Sequence, residues 1–457
     1  MRDWTPERIA QAAGAQLLTA PGGARGPERA VIDSREAGPG TLFVGLRGRH
    51  ADGGQFAEQA LQAGAWGVLT DLEHARHADR AANGGTGPGA VLATEEPLRA
   101  LQLLAAAWRH ELGAQVIGVT GSTGKTSTKD LLLAVLAPQR RTAASRANFN
   151  TEIGLPLEIL AAPAGTQVLV LEMAMRGAGQ IAELTAIAEP DVGVIVSVGP
   201  VHLELLGTIE AIAAAKAELI AGLLAGSTAV LPAGEQLLEP HLRDDIDTIT
   251  FGEGGDVSLL AADGDRLEID LAGRRLELRV SFTQEHLRRN LLAAVAAANA
   301  VGVVPEGDVR LAPTRGRGER TTLPSGVTLI DDCYNANPVS MRAALEDLAT
   351  TATRDGHPRL VAVLGDMLEL GPGEREFHQQ VGAQASAAGV DVLVTVGPRA
   401  AAMAESFDGP ARTVADAAEA AALVPELLEP GDLVLVKGSR GVGLELVCGT
   451  LRDGAER

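Results

Sequence analysis

Residues 116–126 read VIGVTGSTGKT, and the stretch STKDLLLAVL (127–136) follows directly. A short apolar run rich in β-branched residues reads as a buried strand, the glycines as a tight turn, and the leucine-rich stretch as a helix. A glycine-rich turn between strand and helix lets backbone N–H groups approach phosphate oxygens, while the helix N-terminus adds partial positive charge. Gly121, Ser122, Thr123, Gly124, Lys125, Thr126 and Ser127 therefore read as a nucleotide cradle. Lys125 would reach the terminal phosphates, and the Thr126 hydroxyl would ligate Mg2+. The strict spacing of such loops places glycine at position 119, where this chain has Val119, so the loop is a variant. Plain packing also uses glycines, but it does not call for Gly-Lys-Thr in this context. No NKxD-like guanine reader follows, which favours ATP over GTP.

Working outward, the apolar runs VLVLEM (168–173) and VGVIVSV (192–198) alternate with helical stretches, the pattern of a parallel sheet with crossover helices. The alternation resumes with VTLIDD (327–332), LVAVLGD (360–366), VLVTVG (392–397) and LVLVKGS (433–439), which reads as a second α/β unit of Rossmann-like type. Turn-rich breaks at 83–89 (NGGTGPG) and 304–318 separate these units. Short strands such as 40–46, a helix at 56–63 and a strand at 90–93 make the first part a smaller α/β unit. The expected organisation is α/β in three domains: 1–94, a central P-loop parallel-sheet domain at 95–312, and 313–457.

The chain has 457 residues, 46% hydrophobic and 21% charged, enough for more than one core. A formal net charge of −20 argues against non-specific nucleic-acid binding, which needs a basic surface. No apolar run approaches the ~20 residues that span a bilayer, and the first 20 residues lack the apolar core of a secretory signal. Cys333 and Cys448 are too few for a disulfide framework. A cytoplasmic protein, monomeric by default, is the expectation. Of the 39 lysines and arginines only Lys125, Lys129, Lys216 and Lys437 are lysines. Where arginine serves most cationic roles, a retained lysine points to chemistry a guanidinium cannot do.

Glu172 ends its strand at the carboxyl edge, where ligands bind in open α/β sheets, so its carboxylate is placed for a phosphate-bound Mg2+. A solvent-facing glutamate is the plain alternative. His202 follows the next strand, and Lys216 lies on the helix after it. Lys216 returns to the strand end only if residues 203–207 turn back.

TGSTGKT, LEMAM (171–175) and HLELLGTIEAIAAAKAE (202–218) together resemble the ATP-dependent Mur ligases, which build the peptide of the peptidoglycan precursor. The resemblance implies that Thr126, Glu172 and His202 are metal ligands. It also implies that Lys216 is carbamylated by CO2 and helps bind a second Mg2+, a reaction closed to arginine. Lys125, Glu172, His202 and Lys216 then form the catalytic group, and Lys129 is left as an ordinary surface lysine.

DDCYNANPVSM (331–341), VLGDMLELG (363–371) and VLVKGSRGVGLE (434–445) resemble the branch that adds D-alanyl-D-alanine to UDP-N-acetylmuramoyl-tripeptide. The DNPR-type pattern of the tripeptide-forming branch is absent. Asp332 and Asn335 follow a strand end, where a carboxylate can hold ribose hydroxyls and an amide can read a base or substrate. Asn337 before Pro338 fits a turn as well as a contact. Tyr334 is the only tyrosine, and Cys333 reads as a small core residue. Asn290 matches the second Asn of the family's HNxxN adenine-binding motif, with Leu287 in place of the first. Arg317, with Arg315 beside it, matches the arginine that meets ATP phosphates on domain closure. Lys437 and Arg440 read as lying in a loop after a strand, where a carboxylate or phosphate could be met, with a solvated face an equal reading for Arg440.

In the first domain Ser34 and Arg35 match a DSR string at the uridine diphosphate, followed by Arg47 and Asp52. The family's DGH reads Asp52, Gly53, Gly54, so its histidine is missing. Asn148 and Asn150 match the loop facing the sugar-peptide, with Thr151 replacing a further Asn. The resemblance implies ATP, two Mg2+ and CO2 as lysine carbamate, and the substrates UDP-MurNAc-tripeptide and D-Ala-D-Ala. The tripeptide carboxylate would attack the ATP γ-phosphate, and the dipeptide amine would displace phosphate from the acyl phosphate. A folylpolyglutamate-type ligase and a nucleotide-dependent switch are the competing readings.

Overall fold

Three sheets with helices packed on them organise the chain in the computed structural model, which describes residues 1, 3–20, 25–48, 51–81, 89–146, 148–312 and 314–454. The first sheet holds β1 (Gln16–Thr19), β2 (Arg29–Val31), β3 (Thr41–Val44), β4 (Gly67–Asp71) and β5 (Ala90–Thr94) in the order β1-β5-β4-β3-β2. Strands β2 to β5 are parallel and β1 is an antiparallel edge. The carboxyl ends of β2, β3 and β4 therefore share one edge, which carries Ser34, Arg47 and Asp71. The expected helix near 56–63 is Ala57–Gln62. A further helix, Leu72–Ala81, was not expected, and most of the break at 83–89 (83–88) lies outside the described residues.

The central sheet holds β6 (Gln115–Thr120), β7 (Thr142–Ala144), β8 (Val168–Glu172), β9 (Val192–Ile195), β10 (Thr228–Pro232), β11 (Asp247–Phe251), β12 (Val257–Asp263), β13 (Arg266–Leu271), β14 (Arg274–Val280) and β15 (Gly307–Val309). Their order is β15-β14-β13-β12-β11-β10-β9-β6-β8-β7, so VIGVT lies between β9 and β8. The strands from β7 across to β12 pair in parallel, as the apolar runs imply. Residues 257–280 depart from that expectation, because β12, β13 and β14 form an antiparallel meander. In β14 the burial alternates strictly after its first residue, the mark of a sheet with one solvated face. Ala272 and Gly273, both at positive φ, make the tight turn between β13 and β14. The stretch 304–318, expected as a break between units, contributes β15, which pairs with β14 through Val280 and Val309.

Ala-rich helix Glu285–Ala300 packs on helix Lys125–Leu136 over one face of this sheet, burying Leu131, Leu132, Val194, Phe251 and residues 291–298 together. Small side chains let the two helices approach closely, which is why a run of alanines is fully buried. On the other face, helix Pro97–Leu112 carries the core through Leu101, Leu104 and Trp108 into the first sheet, where Leu42, Leu69 and Leu92 join it. Trp4 meets Trp108 edge to face at 5.5 Å.

The third sheet holds β16 (Glu319–Thr322), β17 (Thr328–Asp332), β18 (Leu360–Gly365), β19 (Val392–Val396), β20 (Ala411–Val414) and β21 (Leu433–Lys437) in the order β16-β17-β21-β18-β19-β20. All pair in parallel except edge strand β16. Strands β18 and β21 are buried along their whole length, as expected where helices cover both faces. Among the described residues no helix is long and apolar enough to cross a membrane.

Candidate active site

The loop after β6 is tied to the neighbouring strand end before any ligand arrives. Ser122 N donates to Ser197 O at 2.9 Å, Thr123 N to Ser197 Oγ at 2.9 Å, and Ser122 Oγ to Gly199 O at 2.9 Å. The amides of Ser122 and Thr123 are thus engaged within the protein, and the open N–H groups are those of the first turn of helix Lys125–Leu136, which has no side-chain cap. Gly124 is a position where glycine is required: its φ is 80°, and a Cβ there would lie 2.7 Å from Asn290 Oδ1. That contact places buried Asn290, expected at adenine, against the loop itself. Lys125 Nζ donates to Gly121 O at 2.6 Å. Ser127 is half-buried on the first turn.

Glu172 is buried at the end of β8, and both of its carboxylate oxygens accept from neutral groups. Thr126 Oγ1 donates to Oε2 and Asn150 Nδ2 to Oε1, each at 2.8 Å. Asn150, expected to face a sugar-peptide, is therefore bound to Glu172 here, while Asn148 is exposed. Glu172 N donates to Ser145 Oγ at 2.9 Å, and Ser145 O accepts from Lys129 Nζ at 2.9 Å. Lys129 is buried, not a surface lysine, because its helix turns it toward the strand next to β8. The sequence carried no signal for Ser145 or for this role of Lys129.

Residues 203–207 do turn back, through the one-turn helix Leu203–Leu206 and Gly207, so helix Ile209–Gly222 returns Lys216 to the site. Lys216 is 2% exposed and has no hydrogen bond or ion pair among the described residues. Burial, with Lys125 nearby, pushes its amine well below the ordinary lysine value. Lys125 is also pushed down, by burial and then by Arg317 against the pull of Glu172. His202 is held below its usual value by burial, with Lys125 and Lys216 adding to that and Glu369 opposing it. Its Nδ1 is paired with the Glu369 carboxylate, a partner the sequence did not single out.

From the third sheet, the Arg317 guanidinium stacks 4.0 Å from the Tyr334 ring centroid, and Arg440 lies 5.5 Å from the same centroid. Arg315 is exposed, so Arg317 is the arginine of the pair that faces the site. Lys437 is the last residue of β21 and buried, not in a loop, and bonds Asp332. Asn335 is exposed, with Oδ1 accepting from Ala336 N at 2.9 Å. Asn337 caps helix Pro338–Asp355 through a capping box with Ser340. Cys333 and Cys448 are buried together, and contact with Cys333 and burial push the Cys448 thiol up.

The expected residues of the first sheet bond near neighbours in sequence. Arg35 bonds Asp33 at 2.9 Å and holds that carboxyl down to about 2, while Ser34 opens the 3-10 turn Ser34–Glu36. Arg47 reaches Asp52 at 3.4 Å, and Asp52 caps Gly54 N at 3.1 Å. The imidazole of His74, for which the sequence holds no local signal, lies against Gly54 and bonds Asp71 at 2.6 Å.

The arrangement brings Thr126, Glu172, Lys125, Lys216 and His202 to the carboxyl edge of the central sheet, with Arg317 facing them. The oxygen groups suit Mg2+: the Thr126 hydroxyl is already directed at the Glu172 carboxylate.

Three family models match the chain: the Mur ligase middle domain over residues 119–298, the Mur ligase glutamate ligase domain over 316–440, and the Mur ligase family catalytic domain over 30–109. The chain belongs to the Mur ligase family. The UDP-N-acetylmuramoyl-tripeptide--D-alanyl-D-alanine ligase of Bacillus subtilis strain 168 is 37% identical over 426 residues, 91% of each chain. The crystal structure of MurF from Acinetobacter baumannii matches with a TM-score of 0.85 at 27% identity, covering 98% of this chain and 99% of that one. That of the MurF ligase from Thermotoga maritima in complex with ADP matches at 0.80 and 30% identity, covering 94% and 98%.

Proposed function

We propose that this chain is an ATP-dependent ligase joining D-alanyl-D-alanine to UDP-N-acetylmuramoyl-tripeptide, with UDP-MurNAc-pentapeptide, ADP and phosphate as products. A relative with that activity in its name covers 91% of the chain. The observation that carries the chemistry is buried Lys216, which has no acidic partner among the described residues and lies beside Lys125 of the phosphate loop. An uncharged amine there can attack CO2 and lose a proton, giving an N-carboxylate that adds a second anion to the Glu172 carboxylate of the site.

The reaction must bring a carboxylate to a polyphosphate, and their repulsion is the first barrier. Lys125 and Arg317 offset the charge on the phosphates. Thr126 and Glu172 would hold one Mg2+, and His202 and carbamylated Lys216 a second, supplying Lewis-acid neutralisation of phosphoryl oxygens. The tripeptide carboxylate attacks the γ-phosphorus to release ADP, and the dipeptide amine attacks the resulting acyl carbon to expel phosphate. Asn290 and Asp332 serve ATP; Ser34, Arg35, Arg47 and Asp52 serve the uridine diphosphate; Asn148, Asn150 and Asn335 serve the peptide substrates. Residues 1–94 would bind the nucleotide-sugar, 95–312 ATP, and 313–457 the dipeptide, closing on ATP. A monomer acting in the cytoplasm completes the reading.

Phosphate release with UDP-MurNAc-tripeptide, with and without D-Ala-D-Ala, tests it. Release that requires both substrates is expected; release indifferent to the dipeptide would refute the ligase reading.

A further inference from the structure

His202 and Glu369 belong to different sheets, one following β9 and the other β18, and their side chains pair through Nδ1 and the carboxylate. Both are in the left-handed backbone region, with φ of 56° and 62°. Among the described residues only four non-glycine residues have clearly positive φ, and the other two have local reasons: Ala272 in a hairpin turn and Glu189 at a helix C-cap. Such a conformation costs about 1 kcal/mol or more and persists only where the surroundings over-determine it. Here two such residues bond each other across a junction.

The surroundings are correspondingly firm. Glu204 N donates to Glu369 O at 3.2 Å, and Gly371, at φ 69°, approaches so closely that a Cβ would lie 3.2 Å from Glu204 Cα. On the third-sheet side, Leu368 N donates to Ser439 Oγ and Met367 N to His378 Nε2, each at 3.0 Å. The side chains of His202 and Glu369 are 27% and 39% exposed, so as a bare ion pair the contact would add little stability. Its geometry matters more than its energy.

We propose that Glu369 is a positioning residue for His202. Its carboxylate accepts the Nδ1 proton, which fixes the tautomer and leaves the Nε2 lone pair for a divalent cation. Because the carboxylate comes from the third sheet and the imidazole from the central one, metal ligation is coupled to the docking of these two parts. This rests on the metal-ligand role proposed above for His202.

The test uses the full chain with the ATP analogue AMP-PNP and Mn2+ as the probe, free Mn2+ being read by electron paramagnetic resonance. His202→Ala, Glu369→Ala, Glu369→Gln and the Ala double variant are compared, with AMP-PNP binding in the absence of metal as the control for folding. Glu369→Ala is expected to weaken Mn2+ binding by roughly 10- to 100-fold, the range for second-sphere partners of metal ligands. Glu369→Gln, whose amide oxygen still accepts the Nδ1 proton, should lose less and carries the test if the Ala variant does not fold. The double variant should bind no more weakly than His202→Ala alone. Wild-type Mn2+ affinity in the Glu369 variants, with His202→Ala weakened, overturns the inference alone, as do additive losses. Unchanged binding in His202→Ala removes the metal role of His202 and the inference with it.

Discussion

Lys437 Nζ lies 2.7 Å from Asp332 Oδ2 and 2.9 Å from the carbonyl oxygen of Asn335. The two charged residues are register partners at the ends of β21 and β17, so one buried ammonium ties the sheet edge to the loop that carries Tyr334 and Asn335. Removing the lysine leaves a half-buried carboxylate without its cation. Lys437→Met should lower stability by about 2–4 kcal/mol, between exposed and fully buried pairs. Urea denaturation checks this, and Asp332→Asn added to Lys437→Met should recover part of the loss.

Lys216→Arg should reduce kcat by about 100-fold or more, the scale for loss of a transition-state charge stabiliser, with ATP affinity largely kept. Arginine keeps a positive charge but forms no carbamate. Steady-state kinetics beside nucleotide titration decides the matter; a fully active variant would sink the carbamate role.

The same lysine should shape stability against pH. Burial depresses its native pKa, whereas the unfolded chain holds the proton up to about 10.5. Between those values the unfolded state binds more protons, so stability rises with pH through that window. Lys216→Met should be more stable than the parent at neutral pH and show a shallower rise. Thermal unfolding in CO2-free buffers across the window measures both. A parallel shift at every pH would contradict the linkage.

Asn337→Ala should cost about 1 kcal/mol, the usual penalty for losing an N-cap, because the Asn337 amide oxygen accepts Ser340 N at 2.9 Å. If capping is its whole role, KM for all three substrates stays unchanged in kinetic assays. A selective rise in one KM would instead make it a ligand contact.

Gly54→Ala would put a Cβ 2.5 Å from His74 Nδ1 and 2.8 Å from Thr70 Oγ1. Overpacking of this kind should destabilise by about 1–3 kcal/mol. Adding His74→Ala should restore part of it by calorimetry. No recovery would mean that His74 is not what fills the space.

Much of this was legible in contiguous sequence. VIGVTGSTGKT announced strand, loop and helix because burial, turn geometry and helix periodicity act over a few residues. The third sheet was visible for the same reason, its strands being continuous apolar runs. The antiparallel meander departs from the parallel sheet expected of the whole central segment because strands 257–280 are joined by short turns, which only antiparallel neighbours allow. Asn337 was ambiguous because an Asn-Pro pair serves a cap and a contact equally well. Lys129 looked like a surface residue because nothing near it in sequence shows that its amine meets Ser145 O, just past the end of β7.

Contiguous residues settle the strand, turn and helix around the glycine-rich loop and the largely parallel α/β layout, since each of these depends on neighbours along the chain. The tertiary structure alone decided the partners: Thr126 and Asn150 on Glu172, Lys437 on Asp332, and Glu369 on His202 from 167 residues away. Those pairings depend on which strand ends lie side by side. Sheet order and register set that, and no local propensity encodes it.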